Sequence, residues 1–171
     1  MRSIDAEALY HALADQLRAA YGQTLAADDG AVLAGIYSGG VWLAERLAKD
    51  LNAPSFGVVN VALHRDDYAK KGLHSQARPT DLPFDVNGRR IILIDDVLST
   101  GRTVRAAINE LYDYGRPAAI ELAVLADRGG REMPVAARFV GATVELQANE
   151  NLVLSRQESG AFEFTTETRA H

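Results

Sequence analysis

Asp95 and Asp96 stand side by side at the end of an apolar run, and Ser99, Thr100, Gly101, Arg102 and Thr103 follow closely. Adjacent carboxylates are acceptors that can grip the vicinal hydroxyls of a sugar or hold water around a magnesium ion. A turn of small residues that opens a helix gathers several backbone N–H groups, and the hydroxyls of Ser99, Thr100 and Thr103 add donors, so a phosphate monoester fits there. Arg102 adds a forked cation. Hydroxyl grip beside phosphate grip points to a phosphorylated sugar. An Asp-Asp pair after a strand also occurs in other α/β proteins, phosphoryl-accepting receiver domains among them. The full run, in its strand-turn-helix context, is what carries the chemistry.

The surrounding pattern explains how such residues would be held. Ile91, Ile92, Leu93 and Ile94 are unbroken β-formers, which predicts a buried parallel strand emptying into the polar loop. A helix is expected over 104–114, with Val104, Ala107, Ile108 and Leu111 inward and Gly115 as its stop. Upstream, a short strand at 31–36 leads through Tyr37-Ser38-Gly39-Gly40 into a helix ending near Leu51, with Val41, Leu43, Ala44, Leu47 and Ala48 on its apolar side. Downstream, a β-rich run at 118–126 ends in Asp127-Arg128-Gly129-Gly130-Arg131, a second polar loop for the carboxyl edge of the sheet, where open α/β sheets bind ligands. Asp127 and Arg128 either meet a ligand there or pair with each other to fix the loop.

The remaining segments frame these. Residues 3–21 read as a helix capped by Ser3, with Ile4, Ala8, Leu9, Ala12, Leu13, Leu17, Ala20 and Tyr21 as its stripe, His11 off it and Gly22 as the stop. A strand is expected at 55–63, followed by a long charged stretch at 64–83 broken by Pro79 and Pro83. That length between strands is functional or disordered. Residues 139–164 alternate in short pieces that suggest edge strands or a small flap, with Gly160 at a hairpin turn, and 165–171 are expected to fray.

Size and composition bound the function. The 171 residues suit a single domain, and 47% hydrophobic content is ordinary for a soluble protein. A net charge of −5 does not advertise nucleic-acid binding in bulk, though a local basic face remains compatible with it. With no cysteine there are no disulfides or zinc-thiolate sites. No signal-like core and no run of transmembrane length are present, so a cytoplasmic location is expected.

Residues 91–103 resemble the phosphoribosyl-pyrophosphate signature of the type I phosphoribosyltransferases: four apolar residues, two acids, two apolar residues, a small residue, Thr-Gly, any residue, then Ser or Thr. Gly101-Arg102-Thr103-Val104-Arg105-Ala106-Ala107, Tyr114-Gly115-Arg116-Pro117 and the run from Leu122 through Asp127-Arg128-Gly129 are similar to the branch of pyrimidine operon regulators that double as uracil phosphoribosyltransferases. The resemblance implies an α/β type I phosphoribosyltransferase fold, a twisted, mainly parallel sheet flanked by helices, in one domain over 1–171 with a mobile hood loop at about 64–83. It implies uracil and phosphoribosyl pyrophosphate as substrates and Mg2+ as cofactor, held mainly by substrate with Asp95 and Asp96 in support. It also implies binding of uridine nucleotides and association into a homo-oligomer.

Residue by residue, the resemblance gives Asp95, Asp96 and Arg65 catalytic roles. It gives Ser38, Gly39, Asp95, Asp96, Val97, Leu98, Ser99, Thr100, Gly101, Arg102 and Thr103 to phosphoribosyl pyrophosphate, and Asp127 with Arg128 to the base. Lys70 and Lys71 are further candidates for the departing pyrophosphate. Two departures stand out. Ser38-Gly39-Gly40 lacks the arginine of the Thr-Arg-Gly turn, so backbone amides and a cation from elsewhere must meet the pyrophosphate. Ser99 replaces the acid that purine-specific members place against N7 of the base, which disfavours a purine. An alternative function is a uridine-nucleotide sensor that binds RNA with little catalysis. For that role Arg131 is a remaining cation, while Gly130, Ala136 and Ala142 occupy positions where basic or histidine residues would help.

Overall fold

The computed structural model describes residues 4–26, 30–61 and 78–169. Its organising element is β3 (Arg90–Leu98), the middle strand of a five-stranded sheet in which every pairing is parallel. On one side β3 pairs with β1 (Val32–Ile36), which pairs in turn with β2 (Gly57–Val59). On the other side lie β4 (Ala119–Asp127) and β5 (Phe139–Thr143).

Alternation along β3 divides the core in two. Ile92 and Ile94 pack under α1 (Ala6–Tyr21) and α2 (Gly39–Asp50), whereas Ile91 and Leu93 pack under α3 (Arg102–Tyr112). All four are fully buried, as a parallel strand covered on both faces demands. On α3 the buried positions are Val104, Ala107 and Leu111, three of the four expected, with Ile108 packed at the margin. A two-stranded antiparallel hairpin, β6 (Glu150–Arg156) and β7 (Phe162–Thr168), lays Leu152, Leu154, Phe162 and Phe164 on the α1/α2 side. Gly160 makes its turn with φ +91°.

Several expectations are corrected. Asp5, not Ser3, caps α1: its carboxylate accepts from the Ala8 N–H at 3.1 Å. The inward face of α1 is Ala6, Tyr10, Leu13, Ala14 and Leu17, so Ala8 and Ala20 are exposed. Tyr10 is buried because its ring packs on Phe162 and its hydroxyl finds Asp50 at 2.6 Å, which a hydrophobicity stripe does not register. β2 is three residues long, not nine. Residues 78–83, the last part of the expected loop, are tied to it: Asp81 exchanges backbone hydrogen bonds with Val58, and Thr80 accepts from the Asn60 N–H. Thr165 to Thr168 are not frayed but pair with Val153 to Glu150, because Phe162 and Phe164 anchor the strand in the core. No helix among the described residues is long and apolar enough to cross a membrane.

Candidate active site

The carboxyl end of β3 carries the two acids in different settings. Asp95 is still inside the ladder, opposite Val124, and is the only charged side chain buried among the described residues. One oxygen of each carboxylate is held by the next backbone amide: Asp96 N–H donates to Asp95 at 2.9 Å and Val97 N–H to Asp96 at 2.8 Å. Strand parity puts Asp96 on the α2 side, and there its other oxygen meets the β1–α2 turn. A Cβ built on Gly39 would lie 2.5 Å from Asp96 Oδ2.

That turn is pressed onto β3 by absence of side chains. A Cβ on Gly40 would run into the Ile94 carbonyl oxygen, and one on Gly35 into that of Gly40. Tyr37 and Ser38 are joined by a cis peptide, and the Tyr37 N–H donates to Val59 at 2.9 Å. Ser38 is exposed, and its hydroxyl makes no capping bond to α2.

On the α3 side, Gly101 adopts φ +90° at the helix N-cap, with Val135 and Met133 crowding the space a side chain would need. Thr100 accepts at its hydroxyl from the Arg102 N–H and at its carbonyl from the N–H groups of Glu132 and Met133, so the loop is fixed from outside. The first helical hydrogen bond runs from Arg105 to Gly101, and the amides ahead of it in the first turn have no intrahelical acceptor. An anion placed there meets backbone donors at the positive end of α3. Leu98 points into the core and joins this loop through its backbone alone, its carbonyl accepting from the Arg128 N–H at 2.9 Å. Arg102 is exposed and forks onto Glu132 at 2.6 and 2.9 Å.

The loop after β4 is stapled to the 99–103 loop. Asp127 pairs with Arg131 rather than with Arg128, at 2.7 and 3.1 Å, and accepts from the Gly129 N–H at 2.9 Å. Hydrogen bonds from Arg131 hold the Asp127 carboxyl below the usual carboxylate range despite the opposing effect of burial. Arg131 also donates to the Ser99 carbonyl at 2.8 Å and to the Val135 carbonyl at 3.0 Å, and the Ser99 hydroxyl donates to the Gly129 carbonyl at 3.1 Å. A guanidinium so occupied is a bracket, not a ready cation for an external phosphate. Arg128 sends its guanidinium elsewhere, to the carbonyls of Glu150 and Gln147.

Ser38, Gly39, the acids, the 99–103 loop and the Asp127 loop thus meet at one edge of the sheet. Arg65, Lys70 and Lys71 lie outside the described residues. What the sequence did not signal is the role of Glu132, Met133 and Arg131 in fixing the 99–103 loop, because they act largely on main-chain carbonyls, which no residue type advertises.

The phosphoribosyl transferase domain family matches residues 5–153. The chain belongs to the phosphoribosyltransferase family. This phosphoribosyltransferase is 60% identical over 171 residues to the "Bifunctional protein PyrR" of Ralstonia nicotianae, covering 98% of this chain and 97% of that one. It is 51% identical over 130 residues to the protein of the same name from Pseudomonas syringae pv. tomato, covering 75% and 76%. Among solved structures, the phosphoribosyltransferase fold is shared with a Bacillus anthracis hypoxanthine-guanine phosphoribosyltransferase (TM-score 0.62, 16% identity, 84% of each chain). It is shared equally with a Staphylococcus aureus hypoxanthine phosphoribosyltransferase (TM-score 0.61, 18% identity, 85% of this chain and 79% of that one).

Proposed function

We propose that the chain is a uracil phosphoribosyltransferase, converting uracil and phosphoribosyl pyrophosphate to uridine monophosphate and pyrophosphate in the cytoplasm, and that this activity is linked to control of pyrimidine synthesis. The observation that carries the reading is the contact of Asp96 with the Gly39 turn beside the α3 phosphate loop, which gathers hydroxyl-binding and two phosphate-binding elements at one sheet edge. The name shared by the curated relatives supports the link to regulation.

In this reading the first-turn amides of α3, with Ser99, Thr100 and Thr103, hold the 5′-phosphate, while Asp95 and Asp96 hold the ribose hydroxyls. The bond from the anomeric carbon to the pyrophosphate oxygen breaks as uracil N1 bonds to that carbon, and the N1 proton passes to the departing pyrophosphate or to water. Positive charge that develops on the ribose is stabilised by the two carboxylates, already fixed by backbone amides and so needing no reorganisation. The Ser38–Gly40 turn faces the pyrophosphate with backbone groups, and Arg65 is the proposed cation for it. The donor set suits magnesium only in part. No group of three His, Cys, Asp or Glu among the described residues could cage the ion, so two carboxylates would hold it through water and substrate. When bound, Mg2+ supplies charge neutralisation of the pyrophosphate. Ser99 offers a purine N7 no carboxylate partner, which favours a pyrimidine.

The test is pyrophosphate release from phosphoribosyl pyrophosphate and magnesium with uracil, hypoxanthine, guanine, adenine and orotate in parallel. Turnover with uracil alone, lost by about a thousandfold in Asp95→Asn/Asp96→Asn with an unchanged melting profile, is the expected result. Turnover with a purine, or silence with every base, overturns it.

A further inference from the structure

Arg128 is placed to do something other than meet a ligand. Its N–H donates to the Leu98 carbonyl at the end of β3, while Nη1 donates to the Glu150 carbonyl at 2.6 Å and Nη2 to the Gln147 carbonyl at 3.2 Å. One residue therefore joins the strand that leads into the phosphate loop to a turn some twenty residues further on.

The turn it grips is a closed unit. Gln147 N–H donates to the Glu150 carboxylate at 2.9 Å, and Glu150 N–H donates back to the Gln147 carbonyl at 3.0 Å. Gln147, Ala148 and Glu150 also line an open groove next to Thr143, at the carboxyl end of β5. Since β4 pairs Asp127 with Thr143, this groove flanks the loop after β4. Residues 147–149 belong to no strand or helix and Glu150 opens β6 opposite Thr168, so the turn takes its place from what holds its two ends. Arg128 holds it from the sheet side, and Arg169, whose N–H bonds the Asn149 carbonyl and whose Nε bonds the Asn151 side chain, holds it from the tail.

We infer that Arg128 is a positioning residue for the nucleobase: its guanidinium sets the 147–150 turn as a wall beside the loop after β4, and the base is received by that turn and not by Arg128. This rests on the uracil phosphoribosyltransferase reading. The fork geometry matters, because Nη1 and Nη2 reach the two carbonyls as separate nitrogens held in one plane, a spacing that a single ammonium nitrogen does not reproduce.

Arg128→Lys and Arg128→Met are the variants, assayed in the full chain. The expected result is a KM for uracil raised about tenfold in both, with kcat and the KM for phosphoribosyl pyrophosphate changed by less than about twofold. Hydrogen exchange at the Glu150 amide should quicken while exchange in β3 and β4 does not. An unchanged uracil KM overturns the inference. So does a collapse of kcat with both KM values intact, which makes Arg128 a catalytic group. A rise in both KM values with a lower melting temperature overturns it too, since Arg128 then only holds the fold. If the unsubstituted chain turns over no base, the enzymatic reading fails by itself. Exchange at Glu150 then judges Arg128: quickening in the variants keeps it as the turn's support, and no change removes that role.

Discussion

The Asp96 carboxylate occupies the space that a side chain on Gly39 would need, its Oδ2 lying 2.5 Å from the Cβ that glycine lacks. The β1–α2 turn and the end of β3 are therefore one object, and a change in either moves the other.

Gly39→Ala follows from this directly. The new methyl displaces the carboxylate, a side chain that can swing, so the fold survives while the acid loses its position. The expected outcome is a fall of about 10–100-fold in kcat/KM with a melting temperature near that of the parent. Gly40→Ala is the contrast, because its Cβ meets the Ile94 carbonyl, and backbone in mid-sheet cannot swing aside. A stability loss of about 2–3 kcal/mol in denaturant titration is expected there.

Acid should loosen the seam between α1, α2 and the hairpin. Arg46 forks onto Glu7 at 2.7 and 2.9 Å over the Tyr10 and Phe162 rings, and Glu7 also accepts from the Phe162 N–H. The Arg46 hydrogen bonds hold Glu7 below the usual carboxylate range, against burial. Because the folded value is depressed, the stabilisation is complete above the unfolded value of 4.5 and is lost as pH falls from there through the folded value. Glu7→Gln should cost about 1–3 kcal/mol at neutral pH and flatten the decline below that point, as read by urea titrations across pH.

Arg131 should matter to the folded loop. Its loss leaves the Asp127 carboxylate with only the Gly129 amide of the bonds described above, and removes a donor from the Ser99 and Val135 carbonyls. Arg131→Ala is expected to destabilise by about 1–3 kcal/mol. The drop in stability on acidification, which Asp127 contributes below its unfolded value of 3.8, should shrink.

The C-terminal strand is a further case. Ending the chain after Phe164 removes the pairing of Thr165 to Thr168 with β6 and leaves Leu152 without its neighbour. A melting temperature lower by about 5 °C or more is expected in calorimetry. A frayed tail would show no change.

The sheet edge that carries the two acids was legible in the sequence because its signals are local. Four β-formers, two acids, small residues and a helical period fall in one continuous stretch, so strand, turn and helix can each be read from neighbouring residues. The same holds for α2 after its glycines and for the turn at Gly160. Locality also explains most of the misses. The burial of Tyr10 and the pairing of Thr165 to Thr168 each depend on a partner elsewhere in the chain, the hairpin's Phe162 and β6, whereas the cap at Asp5 is local and was missed because Ser3 and Asp5 are both good caps.

Residue types and spacing by themselves determined the parallel α/β architecture and the loop in which the two acids sit, since periodicity and backbone preference are properties of neighbours, and the family followed from the resemblance of residues 91–103 to a known signature. Only the tertiary structure decided what the charged side chains near that loop do. Asp127 turned to Arg131, Arg102 to Glu132, and Arg128 to the carbonyls of Gln147 and Glu150. A guanidinium is equally suited to a phosphate, a carboxylate or a carbonyl, and which one it meets is set by how the chain closes in space.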